Sequence, residues 1–511
     1  MLLVSLPLHK FTTSQLHLLG IVLRQGLRNT VISYIGLALG FVNTAFVVPR
    51  FLAAHELGLT STLLAIATIY AQISALGFAS VGIKFFPYFR NREAGHQGFL
   101  PLLLGVPLLG FGLVTVLFLS GKPLVLNFYE TDQALISSYY GWVGVLALFV
   151  MLYSLQDAYL KGLYHTAFSS FVQEILLRLL QAGAAVLYGL GYLSFHGYVL
   201  AYIGTMSGIA LLLTVYLGVI GELHIRPNRA VLQVQPLRNI LSFGAFALLA
   251  NISATVIMNI DTIMVGSQLN LAAAGVYSIA FFISTAITLP ARSLNKIAFP
   301  LLADYWKEQA LPRMAAFYRD TTRLNTVLGC YLALGIGLNL DFIYGLMHNP
   351  ALEAGTTAVL VLLAARLFDG ITGLNALIVV TSPRYRYDLL FNISLALGTI
   401  GLNALLIPRI GLLGAAVAFL LAIVSINLAR TWFVWHSYRM QPFTGRIALI
   451  IGIAAVAGAA AWLMPTLSSA FLTMLLRSGV LTALYGALIL LTKSAPEVSA
   501  FLGRILARKR Q

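Results

Sequence analysis

Arg292 and Lys296 stand four residues apart, just beyond Pro290, in an apolar stretch with no acid nearby in sequence. On a helix that spacing puts both on one face, where like charges repel. An anion from elsewhere relieves the repulsion. A diphosphate suits the task, because the planar guanidinium fork matches phosphate oxygens and the ammonium adds a point charge. Snorkelling of both side chains to a membrane surface is the competing reading. Lys84, followed by Phe85-Phe86-Pro87, holds an analogous place in the first half of the chain, and an interfacial position competes there too. Glu174 with Arg178, and Arg366 with Asp369, set opposite charges four and three residues apart, so each set either pairs structurally or lines a cavity. Asp157 and Lys161 read as a pair near a helix end. Asp261 has no basic residue within four positions and shares about half of its helix with Asn251, Thr255, Asn259 and Thr262. A lone carboxylate beside amides and hydroxyls is what a proton or sodium site needs. The candidate anion ligands are thus Arg292, Lys296, Lys84 and Arg178, and the candidate proton- or cation-binding carboxylates Asp261, Glu174 and Asp369.

These charges matter because of what surrounds them. The chain has 511 residues, of which 59% are hydrophobic and only 9% charged, against about 25% charged in an average soluble protein. A soluble fold this poor in charge could not cover its surface, and disorder or a disulfide scaffold is excluded by the same numbers. Lipid is the solvent that remains. In hydrocarbon an ionisable side chain costs about 2.5–3.5 kcal/mol on insertion scales, so each one needs a reason. The single cysteine, Cys330, permits no internal disulfide. Residues 1–28 do not read as a cleavable signal, since Leu2–Leu8 is short and no small-residue cleavage site follows.

A crossing helix needs roughly 20 apolar residues. Such runs lie near 30–49, 57–86, 99–119, 135–156, 167–190, 197–220, 239–265, 270–300, 320–342, 353–380, 387–407, 412–436, 446–464 and 471–491. The overlong second, seventh, eighth and tenth predict tilt, kinks or extensions, and Pro290 should bend the eighth. With both termini in the cytoplasm, 23 of the 32 basic residues fall on that side, four opposite and five within spans, a strong positive-inside bias. That bias is the plain explanation of the net charge of +16, so nucleic acid is not expected as a partner. In the first span Asn29, Ser33, Gly36, Gly40 and Asn43 fall within an arc of ~80°, a small-polar stripe that packs on a helix or borders a cavity.

Gly58 and Gly275, each at the entrance of a long span, lie 217 residues apart, as do Gly197 and Gly414. Leu27-Arg28-Asn29 recurs as Leu237-Arg238-Asn239 at nearly the same offset. Six spans, six similar spans and two extra make a parallel repeat about an axis normal to the membrane. The predicted parts are an N-terminal lobe 1–222, a C-terminal lobe 235–440, and 441–511 with two further spans and a basic tail.

Arg24-Gln25-Gly26, Pro49-Arg50-Phe51-Leu52 with Glu56-Leu57-Gly58, and Gly77 through Lys84-Phe85-Phe86-Pro87 resemble the opening helices of oligosaccharide flippases. Asn403-Ala404-Leu405-Leu406-Ile407-Pro408-Arg409-Ile410-Gly411 with Gly414-Ala415-Ala416-Val417-Ala418 resembles their eleventh-to-twelfth helix junction. These are the polysaccharide-biosynthesis transporters of the multidrug/oligosaccharidyl-lipid/polysaccharide (MOP) superfamily. The resemblance covers essentially the whole chain, and its Gly/Pro/apolar motifs describe fold more than substrate. It implies an all-α transporter that moves polyprenyl-diphosphate-linked oligosaccharide across the bacterial inner membrane, by alternating access between two six-helix lobes. Its implied partners are that lipid, the surrounding membrane lipids and a coupling proton or sodium ion.

Other chemistries lack their motifs. Gly121-Lys122 is followed by Pro123, so there is no phosphate-cradling loop. His55-Glu56-Leu57-Gly58-Leu59 has leucine where a zinc helix needs its second histidine. Gly335-Ile336-Gly337 sits in an apolar span as a packing element, and the sequons at Asn251 and Asn392 are intramembrane. No cofactor and no catalytic residue is expected. Two rivals stay open: a multidrug cation antiporter of the same superfamily, with an acidic and aromatic cavity, and a membrane glycan polymerase or glycosyltransferase, which usually needs a larger external loop than this chain has.

Overall fold

The computed structural model describes residue 28, residues 31–228 and residues 230–497. Among these residues every regular element is helical. The main ones are α1 (Val31–Phe51), α2 (Ala54–Ser74), α3 (Phe78–Phe89), α4 (Phe99–Ser120), α5 (Gln133–Gly162), α6 (Thr166–Gly189), α7 (Phe195–Val219), α8 (Leu237–Gln268) and α9 (Leu271–Thr285). There follow α10 (Leu289–Lys307), α11 (Leu311–Gly337), α12 (Leu340–Met347), α13 (Thr356–Thr372), α14 (Asn375–Thr381), α15 (Arg386–Ile410), α16 (Leu412–Tyr438), α17 (Gly445–Trp462) and α18 (Ala470–Leu491). Thirteen helical runs among the described residues are long and apolar enough to cross a membrane, and α11 with α12, bent by 58°, make a fourteenth. The expected all-α architecture of about fourteen spans is present. Helices are the economical solution in hydrocarbon because they satisfy every backbone polar group internally. Leu109, Leu113, Val116 and Leu117 stand exposed along α4, as lipid-facing side chains should.

Of the four overlong spans the seventh, α8, runs unbroken from Leu237 to Gln268, whereas the other three are interrupted. In the stretch 57–86, α2 stops at Ser74 and α3 starts after Gly77, whose φ is 74°. A β-carbon there would lie 2.1 Å from the Gly244 carbonyl oxygen, so the break is also where α8 packs closest. In the eighth span a 3₁₀ turn at Ala286–Thr288 separates α9 from α10. Pro290 then occupies the first turn of α10, where its missing N–H removes no helix bond. In the tenth, Gly373 with φ of 69° parts α13 from α14.

Contacts divide the chain into two compact units, Met1–Phe51, Ala67–Lys122 and Ser138–Asn251 in one, Leu52–Ile66, Pro123–Ser137 and Ile252–Gln511 in the other. In the first, α1 lies against α6. Without Gly36, a β-carbon would come within 2.8 Å of the Glu174 carbonyl oxygen, and one at Gly40 would collide with the Arg178 guanidinium. The small-polar stripe of α1 is thus a packing surface for the Glu174–Arg178 turn; its first member, Asn29, lies outside the described residues.

In the second unit the repeat becomes visible as a contact. A β-carbon on Gly58 would lie 2.9 Å from the Gly275 nitrogen, and one on Gly275 would lie 2.8 Å from the Gly58 nitrogen. One turn on, Ser61 Oγ donates to Ser278 Oγ at 3.1 Å, again 217 residues away. Each residue meets its own counterpart, which is what self-complementary faces do across a two-fold axis. The entrance to α9 is capped twice, by Asn270 Oδ1 accepting from the Ala273 N–H and by Asp132 Oδ2 accepting from the Leu271 N–H, both at 2.8 Å. Further along, α11, α17 and α18 share a core that includes Cys330, Ile450, Ala457 and Tyr485.

Candidate substrate cavity

Residues at the break before α10 and at the one after α13 border a gap. It is a cavity of about 200 Å³, lined among others by Thr288, Arg292, Asn295, Asn325, Arg366 and Asp369, all in the second unit. Ligand pockets for drug-sized molecules run ~300–1,000 Å³, so this one suits a head-group fragment. Its electrostatics come from the way each charge is held. The Arg366 guanidinium lies 4.8 and 4.7 Å from the centroids of the Phe281 and Phe419 rings, which meet each other edge to face 5.5 Å apart. Contact with aromatic rings offsets part of a cation's desolvation without neutralising it. Arg366 Nε is buried with no hydrogen-bond partner among the described residues. Asp369 is engaged elsewhere: its Oδ1 accepts from Asn427 Nδ2 at 2.9 Å. Asn427 Oδ1 in turn accepts from Thr372 Oγ1 at 3.0 Å and from Asn375 Nδ2 at 2.9 Å. Arg366 and Asp369, expected as neighbours of opposite charge, are therefore each held by other partners.

Arg292 faces the cavity from α10. Lys296 is exposed one turn further on and is not among the lining residues. Neither has an acid within salt-bridge distance among the described residues.

Asp261 on α8 is 3% exposed and holds two donors, Tyr277 Oη at 2.8 Å and Asn403 Nδ2 at 2.6 Å. The expected partners on its own helix are turned elsewhere: Asn259 Nδ2 donates to the Thr255 carbonyl at 2.8 Å and Asn251 Nδ2 to Ser80 Oγ at 3.1 Å. The cause is geometric, since a carboxylate buried between helices is served by residues that point at it across the interface. The Asn403 Oδ1 oxygen is left buried without a partner, an acceptor beside a carboxylate.

The other expected site residues lie in the first unit. Arg178 Nη2 and Glu174 Oε2 form an ion pair at 2.8 Å, with Asn43 Nδ2 donating to the Arg178 carbonyl at 3.4 Å. Lys84 Nζ sits 3.8 Å from the Phe243 ring centroid and 5.4 Å from that of Phe85. Asp157 and Lys161 pair at 2.5 Å. Sequence reasoning assigned no role to Tyr277, Asn403, Asn375, Asn427 or Arg430, whose Nη2 donates to Asn392 Oδ1 at 2.9 Å and meets Asp388 at 3.3 Å. The available signal was a buried amide in an otherwise apolar helix, and Asn403 stood inside a motif read only for fold.

A family profile described as polysaccharide biosynthesis protein matches residues 47–347. A search of the curated proteins finds no match. Among solved structures, the lipid II flippase MurJ in its inward closed conformation is similar at a TM-score of 0.72 and 12% identity, covering 94% of this chain and 99% of that one. A multidrug resistance MATE family transporter in its inward-facing conformation reaches 0.59 at 14% identity, covering 81% and 97%. A MOP superfamily transporter from Pyrococcus furiosus Vc1 (DSM3638) reaches 0.54 at 14% identity, covering 81% and 95%. The expected resemblance is borne out: the chain belongs to the polysaccharide biosynthesis protein family and has the fold of MOP superfamily membrane transporters.

Proposed function

We propose that the protein flips polyprenyl-diphosphate-linked oligosaccharide across the bacterial inner membrane by alternating access of its lobes, 1–222 and 235–440, with both termini in the cytoplasm and 441–511 as an accessory pair of spans. The observation that carries this reading is the cavity itself. Two arginines line it, one of them with an unmatched buried N–H, against a single carboxylate already bound by Asn427. A diphosphate supplies the acceptor oxygens and negative charge that such a site lacks. The fold is also that of a protein named for flipping lipid II. A cation antiporter needs the opposite sign in its cavity, and a glycosyltransferase needs an acid, base or metal aimed at a sugar carbon. Lys296, Lys84 and Arg178 are further head-group contacts in this proposal. Asp261, with the unpartnered Asn403 oxygen beside it, carries the coupling proton or sodium ion, with Glu174 and Asp369 as secondary carboxylates.

Protein reconstituted in vesicles tests the reading. It should translocate lipid-linked oligosaccharide without transferring sugar, and should not extrude cationic dyes. Dye export driven by an ion gradient, or sugar transfer by the purified protein, overturns it. Reporter fusions should place both termini and the 87–98 and 221–238 loops on the cytoplasmic side; a reporter near 120–134 on that same side contradicts the topology.

A further inference from the structure

In the first unit, away from the cavity, two connections meet. Between α3 and α4 a short 3₁₀ turn, Gly95–Gly98, carries His96 at φ of 50° and leaves its ring 2% exposed. Just beyond α7 and Gly221, the chain presents Glu222, buried, and His224, with 32% of its side chain exposed. The His96 Nε2 to Glu222 Oε2 distance is 2.7 Å and the His224 Nε2 to Glu222 Oε2 distance 3.7 Å. The ligand atoms all lie within 4.8 Å of one another. We propose that His96, Glu222 and His224 bind one zinc-class divalent metal ion that staples the α3–α4 connection to the segment following α7.

Three features support the site. A hydrogen bond between His96 and Glu222 accounts for those two side chains but leaves His224 Nε2 buried with no hydrogen-bond partner; an ion serves all three. The geometry is close, because metal–ligand bonds of ~2.0–2.2 Å at tetrahedral angles set donors about 3.4 Å apart, and each separation needs to change by little more than an ångström. The outer partners are also in place. Glu222 Oε1 is 3.1 Å from Arg92 Nε, and Arg92 Nη2 donates to the Ile220 carbonyl at 3.0 Å, which orients the carboxylate with its other oxygen inward. Tyr159 Oη donates to the Glu222 carbonyl at 3.3 Å, and the Phe86 ring packs 5.1 Å from that of His96.

Two imidazoles with one carboxylate form a nitrogen/oxygen set that favours zinc over magnesium or calcium, which prefer all-oxygen shells. Binding through His96 Nε2 moves the ring proton to Nδ1 and so opens the 3.2 Å contact from the Asn91 N–H. Three protein ligands leave a fourth position toward the hollow lined by Arg92, Gly95, His224 and Asn228, where water completes the shell. Arg92, 70% exposed, remains an outer partner and adds no ligand. The site requires nothing of the cavity or its substrate.

The test uses the full chain in detergent, purified without a histidine tag and stripped with a chelator. Equilibrium dialysis should find one zinc per chain, with the melting temperature raised by several degrees at saturating zinc and unmoved by magnesium. His224→Ala keeps the His96–Glu222 bond and should fold normally, yet bind zinc at least tenfold more weakly, the loss that outer-partner changes already reach. Absence of a stoichiometric zinc in the stripped wild-type chain, or wild-type affinity in H224A, overturns the proposal.

Discussion

Two charge clusters within the helices solve the same problem in different ways. In the first unit Glu174 and Arg178 neutralise each other one turn apart at 2.8 Å, and α1 offers glycines so that the pair fits against it. In the second unit Arg292 has no such partner among the described residues, Arg366 packs beside two rings, and Asp369 is bound by an amide. The first arrangement is complete in itself. The second is left with positive charge lining a cavity and with a buried donor unmatched among the described residues, a balance that an arriving anion completes. The difference shows that the presence of charge in a span says little about function, whereas the way the charge is balanced says a great deal. It also gives the Arg178 and Glu174 roles weaker structural support than those of Arg292 and Asp261.

The comparison is easiest to break at Arg292. Replacing Arg292 and Lys296 together by glutamine should weaken apparent affinity for the lipid-linked substrate on the order of tenfold to a hundredfold, the worth of one or two charged hydrogen bonds. Insertion and melting temperature should hold, because no acid is stranded. Normal transport by this variant, measured in vesicles, makes both side chains interfacial anchors and removes the contrast.

Asp261→Asn keeps the shape of the site and one of its two acceptors, for Tyr277 or Asn403, while deleting its charge. It should leave substrate affinity within a few fold but flatten the dependence of transport on the proton or sodium gradient. An unchanged gradient dependence moves the coupling site elsewhere.

The smallest effect is expected at the self-neutralised pair. Either E174Q or R178Q alone should destabilise by about 1 kcal/mol or less, since both side chains are about a third exposed and screened. The double variant should recover most of that, with transport reduced only a few fold, the share of a peripheral head-group contact. Transport abolished in the double variant with its stability intact would give this pair a central role on substrate, and would erase the distinction between the units.

Much of this protein follows from sequence alone, for physical reasons. Hydrocarbon excludes unsatisfied backbone, so the lengths of the apolar runs dictated helices and nearly all of their positions. The 217-residue offset of Gly58 and Gly275 marked a repeat because two backbones that touch tolerate no side chain, and glycine is the trace such a contact leaves in a sequence. Charges four apart on one helix could be paired by spacing, as Glu174 with Arg178 and Asp157 with Lys161. What spacing could not supply was any partner from another helix. Asn403 reaches Asp261 from 142 residues away, Asn427 reaches Asp369 from 58, and Glu222 meets His96 from 126. The breaks at Gly77, Ala286–Thr288 and Gly373 likewise emerge from packing, since nothing local forbids a helix from running straight through most of these stretches. Composition and period are properties of a chain in lipid, while a cavity and a ligand set are properties of helices brought side by side, and only the tertiary structure decides which faces meet.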